Sequence, residues 1–200
     1  TLLLLIVVFT THSFSQQRCG TTERTEHLLQ NNKDFTIAKQ KVNTETQKWI
    51  EKNPNFSSKT IITIPVVVHV VYKTTVQNIS VNQIMSQFDV LNRDFRKLNI
   101  DTINTPSVWK QIAADCEIEF CLATTDPNGN STTGITRTQT STTSFGMQGD
   151  DMKSTSDGGV DGWPSDDYLN IWICNLDNLL GYSTVPTSWN DPDDGVVIGY

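Results

Sequence analysis

Three kinds of apolar spacing divide this chain. Residues 60–72, TIITIPVVVHVVY, are an almost unbroken β-branched run and predict a strand. Pro65 places the early part of that run at an edge or a bulge, because proline donates nothing to a ladder. At 80–98 the period changes. Val81, Ile84, Phe88, Leu91, Phe95 and Leu98 line one face at 3.6-residue spacing, with Asn92, Arg93, Arg96 and Lys97 mostly opposite. Ser80 followed by Gln83 is a capping box, so a helix begins there. Residues 117–123 predict another strand. A strand, a helix and a strand in succession form a right-handed crossover, which makes the two strands parallel.

The end of the chain is the most densely patterned part. Residues 168–174 are a near-continuous apolar run with Trp172 inside it, the pattern of a strand buried on both faces. Residues 179–185 carry Gly181 and stop at Pro186, which confines that run to a sheet edge. A turn at 191–195 opens a further apolar run at 195–199, a second inner strand. Between these patterned regions, residues 126–162 are crowded with Thr, Ser, Gly and Asp. Such a long irregular segment in a compact domain is usually functional or mobile.

The other weakly patterned stretch is 21–52. It is polar, but Phe35, Ala38, Val42 and Trp49 fall at helical spacing, which predicts a loosely packed helix ended by Asn53-Pro54-Asn55. Composition then shifts sharply, so 54–60 is a natural linker. At the start, the apolar run 2–9 is too short to span a bilayer and fits the core of a signal peptide, with the small residues Ser13 and Ser15 placed for cleavage before Gln16. Three segments result: a leader at 1–15, a polar segment at 16–58 and a folded domain at 59–200. Secretion is expected, without stable membrane insertion.

Charge and chemistry narrow the picture. The net charge is −7 and there is no Lys/Arg run, so nucleic acid is not an expected partner. Cys19, Cys116, Cys121 and Cys174 follow the leader, and a secreted chain permits disulfides. Cys116 and Cys121 would point to opposite faces of one strand; either is free to pair with Cys174. His12, His27 and His69 are the three histidines, and none begins HExxH. His69 in its strand is expected to be hydrogen-bonded within the sheet. Asp126-Pro127-Asn128-Gly129-Asn130 resembles the start of a calcium loop, but Ser131 and Arg137 stand where the EF-hand needs Gly and Glu, which favours a plain turn. Asp150, Asp151, Asp157, Asp161, Asp166 and Asp167 are candidate calcium ligands or a solvated loop. There is also no nucleophile elbow, P-loop or dinucleotide fingerprint.

Four pieces in order, IPVVVHVVY, IEFCLATTDPNG with TTGITR, YLNIWIC, and LLGYSTVP with DGVVI, resemble the pappalysin family of metzincin zinc endopeptidases. The resemblance implies an α/β (α+β) fold: a twisted mixed, mostly parallel five-stranded sheet with helices, the N-terminal subdomain of a metzincin-like protease. In that family such strands precede a helix with HExxHxxGxxH, which binds zinc through three histidines and supplies a general base. This sequence ends before such a helix, so its expected function is the N-terminal portion of a secreted zinc endopeptidase zymogen, itself inactive. Protein or peptide substrates are the implied partners, with zinc as cofactor and calcium as a further candidate. A secreted binding or adhesion module that shares only the sheet is the alternative.

The resemblance also implies site residues. Leu179, Leu180, Gly181, Tyr182 and Ser183 match the edge strand that binds substrate in the family, and an edge strand can accept an extended peptide as one more strand. A covering loop is the other possible fate of such an edge. Cys19 in Arg18-Cys19-Gly20-Thr21 matches the pro-segment cysteine whose thiolate ligates zinc; half of a disulfide is its other reading.

Overall fold

The computed structural model describes residues 19–54, 60–187 and 191–200. The expected leader and most of the expected linker lie outside the described residues. Two helices come first, α1 (Thr21–Asn31) and α2 (Lys33–Lys52). They are hinged at Asn32, whose side chain caps α2 by accepting from the Phe35 amide at 3.0 Å. Then come β1 (Ile62–Tyr72), α3 (Val81–Phe95), β2 (Ile118–Leu122), β3 (Ile135–Gln139), β4 (Leu169–Cys174), β5 (Gly181–Ser183) and β6 (Val196–Gly199). Ser80 caps α3, accepting from the Gln83 amide at 3.2 Å.

The sheet order is β2-β1-β4-β6-β5. All neighbours are parallel except β5, which runs antiparallel to β6. Six strands stand where five were expected. The addition is β3, which follows β2 along the same side of β1: β2 pairs with residues 62–66 and β3 with 68–72. The sheet is therefore still five positions wide. Pro65 lies where β1 has β2 beside it and β4 has not yet begun, at Val66, so its missing N–H costs no bond to β4.

Alternation along β1 and β4 sorts the core into two layers. Val66, Val68, Val70, Ile171 and Ile173 face α3, which contributes Ile84 and Phe88. Each of those two helix side chains, fully buried, contributes about 2 kcal/mol. Val71, Trp172, Cys174, Tyr182 and Val197 face the other way, against Phe145, Met147 and Met152. The long polar segment thus forms the second layer of the domain through a few well-placed apolar residues. Its hydrogen bonds are anchored from the sheet: Trp172 Nε1 donates to the Val160 carbonyl at 2.9 Å.

His69 and Asn170 share that second face and are both fully buried. Asn170 Oδ1 accepts from the Trp163 amide at 2.8 Å, and its Nδ2 donates to the Trp163 carbonyl at 2.8 Å. His69 Nε2 therefore donates to the same Oδ1, at 3.0 Å, and Nδ1 accepts from the Thr136 hydroxyl at 2.8 Å. The ring also stacks on Trp172 at 5.3 Å. This is the structural histidine expected from sequence. Burial lowers its pKa to about 4, although the Asn170 bond opposes the shift. The unfolded imidazole titrates near 6.5, so between these values the unfolded chain takes up a proton that the folded chain refuses. Stability is full above the unfolded value and falls as pH drops toward 4. From pH 7 to pH 4.5 the loss assigned to His69 is about 2 kcal/mol. Urea unfolding at both pH values, compared between the native chain and His69→Gln, measures it. Equal pH sensitivity of the two would show that His69 is not the source.

All four cysteines are free thiols. The anticipated pairing of Cys174 with Cys116 or Cys121 is absent for a reason of register. Cys121 lies opposite Pro65, and Cys174 follows Ile173, which lies opposite Val70. The two are about six residues apart along the sheet, roughly 20 Å, far beyond disulfide reach. Asp126 makes a turn, as favoured: its Oδ1 accepts from the Asn128 and Asn130 amides at 2.9 and 2.8 Å. Among the described residues, no group of three or more His, Cys, Asp or Glu side chains is placed to hold a metal ion.

Candidate functional site

β5 is the free end of the sheet, as Pro186 implied, and its outer edge is occupied. Cys19 forms an isolated parallel bridge with Gly181. The Gly20 amide donates to the Gly181 carbonyl at 3.0 Å, and the Ser183 amide donates to Thr21 Oγ1 at 2.9 Å. Two outward groups of the edge, the Gly181 carbonyl and the Ser183 amide, are therefore satisfied by the N-terminal segment. Both glycines of this junction have close neighbours, flexible side-chain ends at Gly20 and fixed backbone at Gly181. A Cβ on Gly181 would stand 2.6 Å from the Val197 carbonyl oxygen, and one on Gly20 would overlap Met147 Sδ and sit 3.1 Å from Leu179 Cδ1.

The five edge residues have different roles in this geometry. Leu180 is exposed and Leu179 packs at the margin of the second core layer. Gly181 and Ser183 present main chain. Tyr182 points inward and is 2% exposed, so its ring is core and not an outer subsite wall. Cys19 is exposed beside the edge, with its Sγ 3.4 Å from Thr21 Oγ1. That hydrogen bond, with a further one from the Thr21 backbone, lowers the thiol pKa and favours the thiolate. Among the described cysteines and histidines, Cys19 is the one exposed at this edge. His27 is exposed on α1 and His69 is locked in the sheet.

Beneath the edge lies a buried ionic cluster that sequence did not reveal. Arg24 of α1 reaches the carboxylate of Asp150 through Nη2 and donates from Nη1 to the Gln148 carbonyl at 3.3 Å. Tyr182 donates its hydroxyl to the other oxygen of Asp150, and Lys153 Nζ stands 3.5 Å from it. Lys153 also donates to the Asp193 carbonyl at 2.7 Å and lies over the rings of Trp172 and Tyr182, at 5.4 and 5.5 Å. Burial lowers the Lys153 pKa, against the pull of the Asp150 and Asp193 charges. Burial, with the Asp150 carboxylate beside it, raises that of the Tyr182 phenol. In sequence Arg24 is one charge in a polar helix and Asp150 one of many loop aspartates. Only packing separates them from their solvated neighbours. The apolar stripe of α2 does not reach this cluster. Ile37, Ala38, Val42 and Trp49 instead wall a groove of about 810 Å³ against Pro186 and Thr187.

A mostly parallel sheet whose single antiparallel edge strand faces an N-terminal cysteine segment is the layout of the upper part of a metzincin-like precursor. This chain belongs to the pappalysin family of metzincin metalloproteases. It is similar to Tannerella forsythia promirolysin mutant E225A, at 45% identity over 92% of this chain and 60% of that one, with a TM-score of 0.77. Mature mirolysin of T. forsythia in complex with a cleaved peptide matches at 54% identity over 72% of this chain and 54% of that one, TM-score 0.68. Mirolysin in complex with compound 9 matches at 53% identity over 71% and 54%, TM-score 0.68. The chain thus spans little more than half the length of these proteins. No family model and no curated protein matches it.

Proposed function

We propose that this chain is the N-terminal part of a secreted zinc-dependent endopeptidase made as an inactive precursor, with 16–58 as its pro-segment and 59–200 as the upper part of its catalytic domain. The observation that carries this is the edge of β5, a peptide-binding main chain held shut by the chain's own Cys19-Gly20-Thr21. The coverage of the relatives supports the boundary. The precursor form matches 92% of the chain and the mature form 72%, and the difference, 20% of 200 residues, is 40 residues, close to the 43 of 16–58. An adhesion module that shares only the sheet would have no use for a self-filled edge beside an exposed thiol, and the relatives do not favour it.

Each group then has a task. The Gly181 carbonyl and Ser183 amide bind substrate main chain, holding an extended peptide of any sequence as an added strand. Leu179 and Leu180 flank that strand, and Tyr182 supports it from within. When bound, zinc supplies Lewis-acid activation of water and of the scissile carbonyl. Cys19 is the residue of this chain that would hold it in the precursor, excluding water from that position. Calcium remains a further candidate ligand, without a built site among the described residues.

Purified precursor carrying its complete natural sequence is expected to leave casein intact. A trypsin cut after Lys59 or elsewhere in the linker then releases activity, which a zinc chelator removes and added zinc restores. A precursor whose cut form never cleaves casein would return the chain to the adhesion reading.

A further inference from the structure

The loop between α3 and β2 turns its large apolar side chains outward. Leu98, Ile100, Ile103, Val108, Trp109 and Ile112 are each between 56% and 88% exposed. With about 200 Å² for a large side chain, they show roughly 800 Å² of apolar surface. The largest patch of a typical monomer is about 300–600 Å². Two further exposed residues, Ile61 and Ile62 at the start of β1, stand beside the foot of the loop, where the Ile62 amide donates to the Glu117 carbonyl at 2.8 Å.

The loop is built to hold this surface out. Its neck is closed by Lys97 Nζ, which donates to the Ala113 carbonyl, and by the Cys116 amide, which donates to the Phe95 carbonyl at 2.8 Å. Arg96 adds ion pairs to Asp115 at 3.1 Å and Glu119 at 2.5 Å. Within the loop, Ile100–Asn104 form a 3₁₀ turn and the Ala113 amide donates to the Trp109 carbonyl at 2.9 Å. The apolar side chains therefore stand on a hydrogen-bonded frame, which lowers the entropy lost on docking.

Position and charge decide what covers it. The loop enters β2, the strand at the far end of the sheet from β5. Four strand spacings, about 19 Å, separate those two edges. On the reading above, the other wall of the catalytic cleft lies by β5, which draws the remainder of the protein to the opposite side of the domain. The charges of residues 98–112 are Asp101 and Lys110 alone, so the loop is neutral in a chain of net charge −7. It offers no attraction to an anionic surface or to a basic partner. A two-fold axis, in contrast, can bring Asp101 of one copy to Lys110 of the other. Roughly 800 Å² per partner is also what each chain contributes to a standard interface.

We propose that this loop is a self-association surface, through which two copies of the protein pair about a two-fold axis with Trp109 and Ile100 in the buried centre. The substrate edges of the two copies then face away from each other and stay open to peptide.

The test is sedimentation velocity on the uncut precursor with its complete natural sequence, in reductant so that exposed cysteines form no links. A dimer with a Kd on the order of 1 μM is expected. Trp109→Asp is expected to raise that Kd about 100-fold. Ile100→Asp, at the most exposed of the six positions, is a second variant should the first fail to fold. Val76→Asp, at a site 78% exposed but outside the loop, is expected to leave the Kd unchanged. The cut form of Trp109→Asp should cleave casein like the cut native protein. A precursor that stays monomeric up to about 100 μM overturns the proposal. So does a dimer indifferent to both loop variants, or one that Val76→Asp weakens as much. A monomer in which Trp109→Asp lowers the urea midpoint assigns the surface to the remainder of the same chain, and one that floats with phosphatidylcholine vesicles assigns it to lipid; either result overturns the pairing. Association is measured without substrate, so a cut form that never cleaves casein fails the enzyme reading alone.

Discussion

Cys19→Ala is expected to yield a precursor that cleaves casein, or itself, before any protease is added. Cys19 is exposed beside the β5 edge, its neighbours Gly20 and Thr21 are pinned to Gly181 and Ser183, and the Thr21 hydrogen bond favours its thiolate. A thiolate held at that point is a strong zinc ligand. Alanine keeps the backbone pairing and removes only the sulfur. Basal activity should therefore rise on the order of 100-fold, equivalent to ~2.7 kcal/mol of lost ligation, while the Gly20 and Thr21 contacts still retard substrate. Thiol titration of the unfolded precursor without reductant is the companion measurement. Loss of one titratable thiol relative to the native sequence agrees with a free Cys19. Gain of one places Cys19 in a disulfide and removes the switch, as does a Cys19→Ala precursor that stays silent until cut.

Asn170→Leu is expected to destabilise the folded domain by about 4 kcal/mol, the sum of a lost buried network and its stranded partners. Leucine has nearly the same shape as asparagine but no polar atoms. The substitution strands the Trp163 amide, the Trp163 carbonyl and His69 Nε2, all of which meet Asn170 at 2.8 to 3.0 Å. Each buried group left unpaired costs about 1–3 kcal/mol. The network also joins β1, β4 and the loop that covers the second face, so there is no local way to relax. In urea the midpoint should fall by roughly 2 M, taking about 2 kcal/mol per molar for a domain of this size. Asn128→Ala, at an exposed turn, should stay within about 0.5 kcal/mol of the native chain. A midpoint shift under about 0.5 M for Asn170→Leu would mean that water or a shifted loop satisfies the groups.

Much of this architecture was legible from residue order because its signals are local and periodic. The β-branched run of β1, the 3.6-residue stripe of α3 with its Ser80 cap, and the apolar block of β4 each specify their own conformation. Parallel pairing follows from chain handedness. Pro186 marked the free edge because a missing donor has the same meaning in any sheet. Cys19 and the edge strand were each singled out through family resemblance, and the fold places them side by side.

What only the tertiary structure decided is which distant residues meet. β3 escaped notice because ITRTQ is short and polar; its pairing with β1 supplies the order that its own composition does not. Residues 126–162 read as loop because three buried side chains, Phe145, Met147 and Met152, are too few to make a period, yet they close the second core layer. The disulfide expectation failed because cysteine spacing carries no information about sheet register. Arg24 and Asp150 lie 126 positions apart. A charge in a polar helix and a charge in a polar loop look solvated until packing excludes water from both. The bringing together of Cys19, Gly181, Arg24 and Asp150 is likewise a property of the folded chain, because the sheet edge and the exclusion of water around Arg24 and Asp150 exist only once distant segments pack.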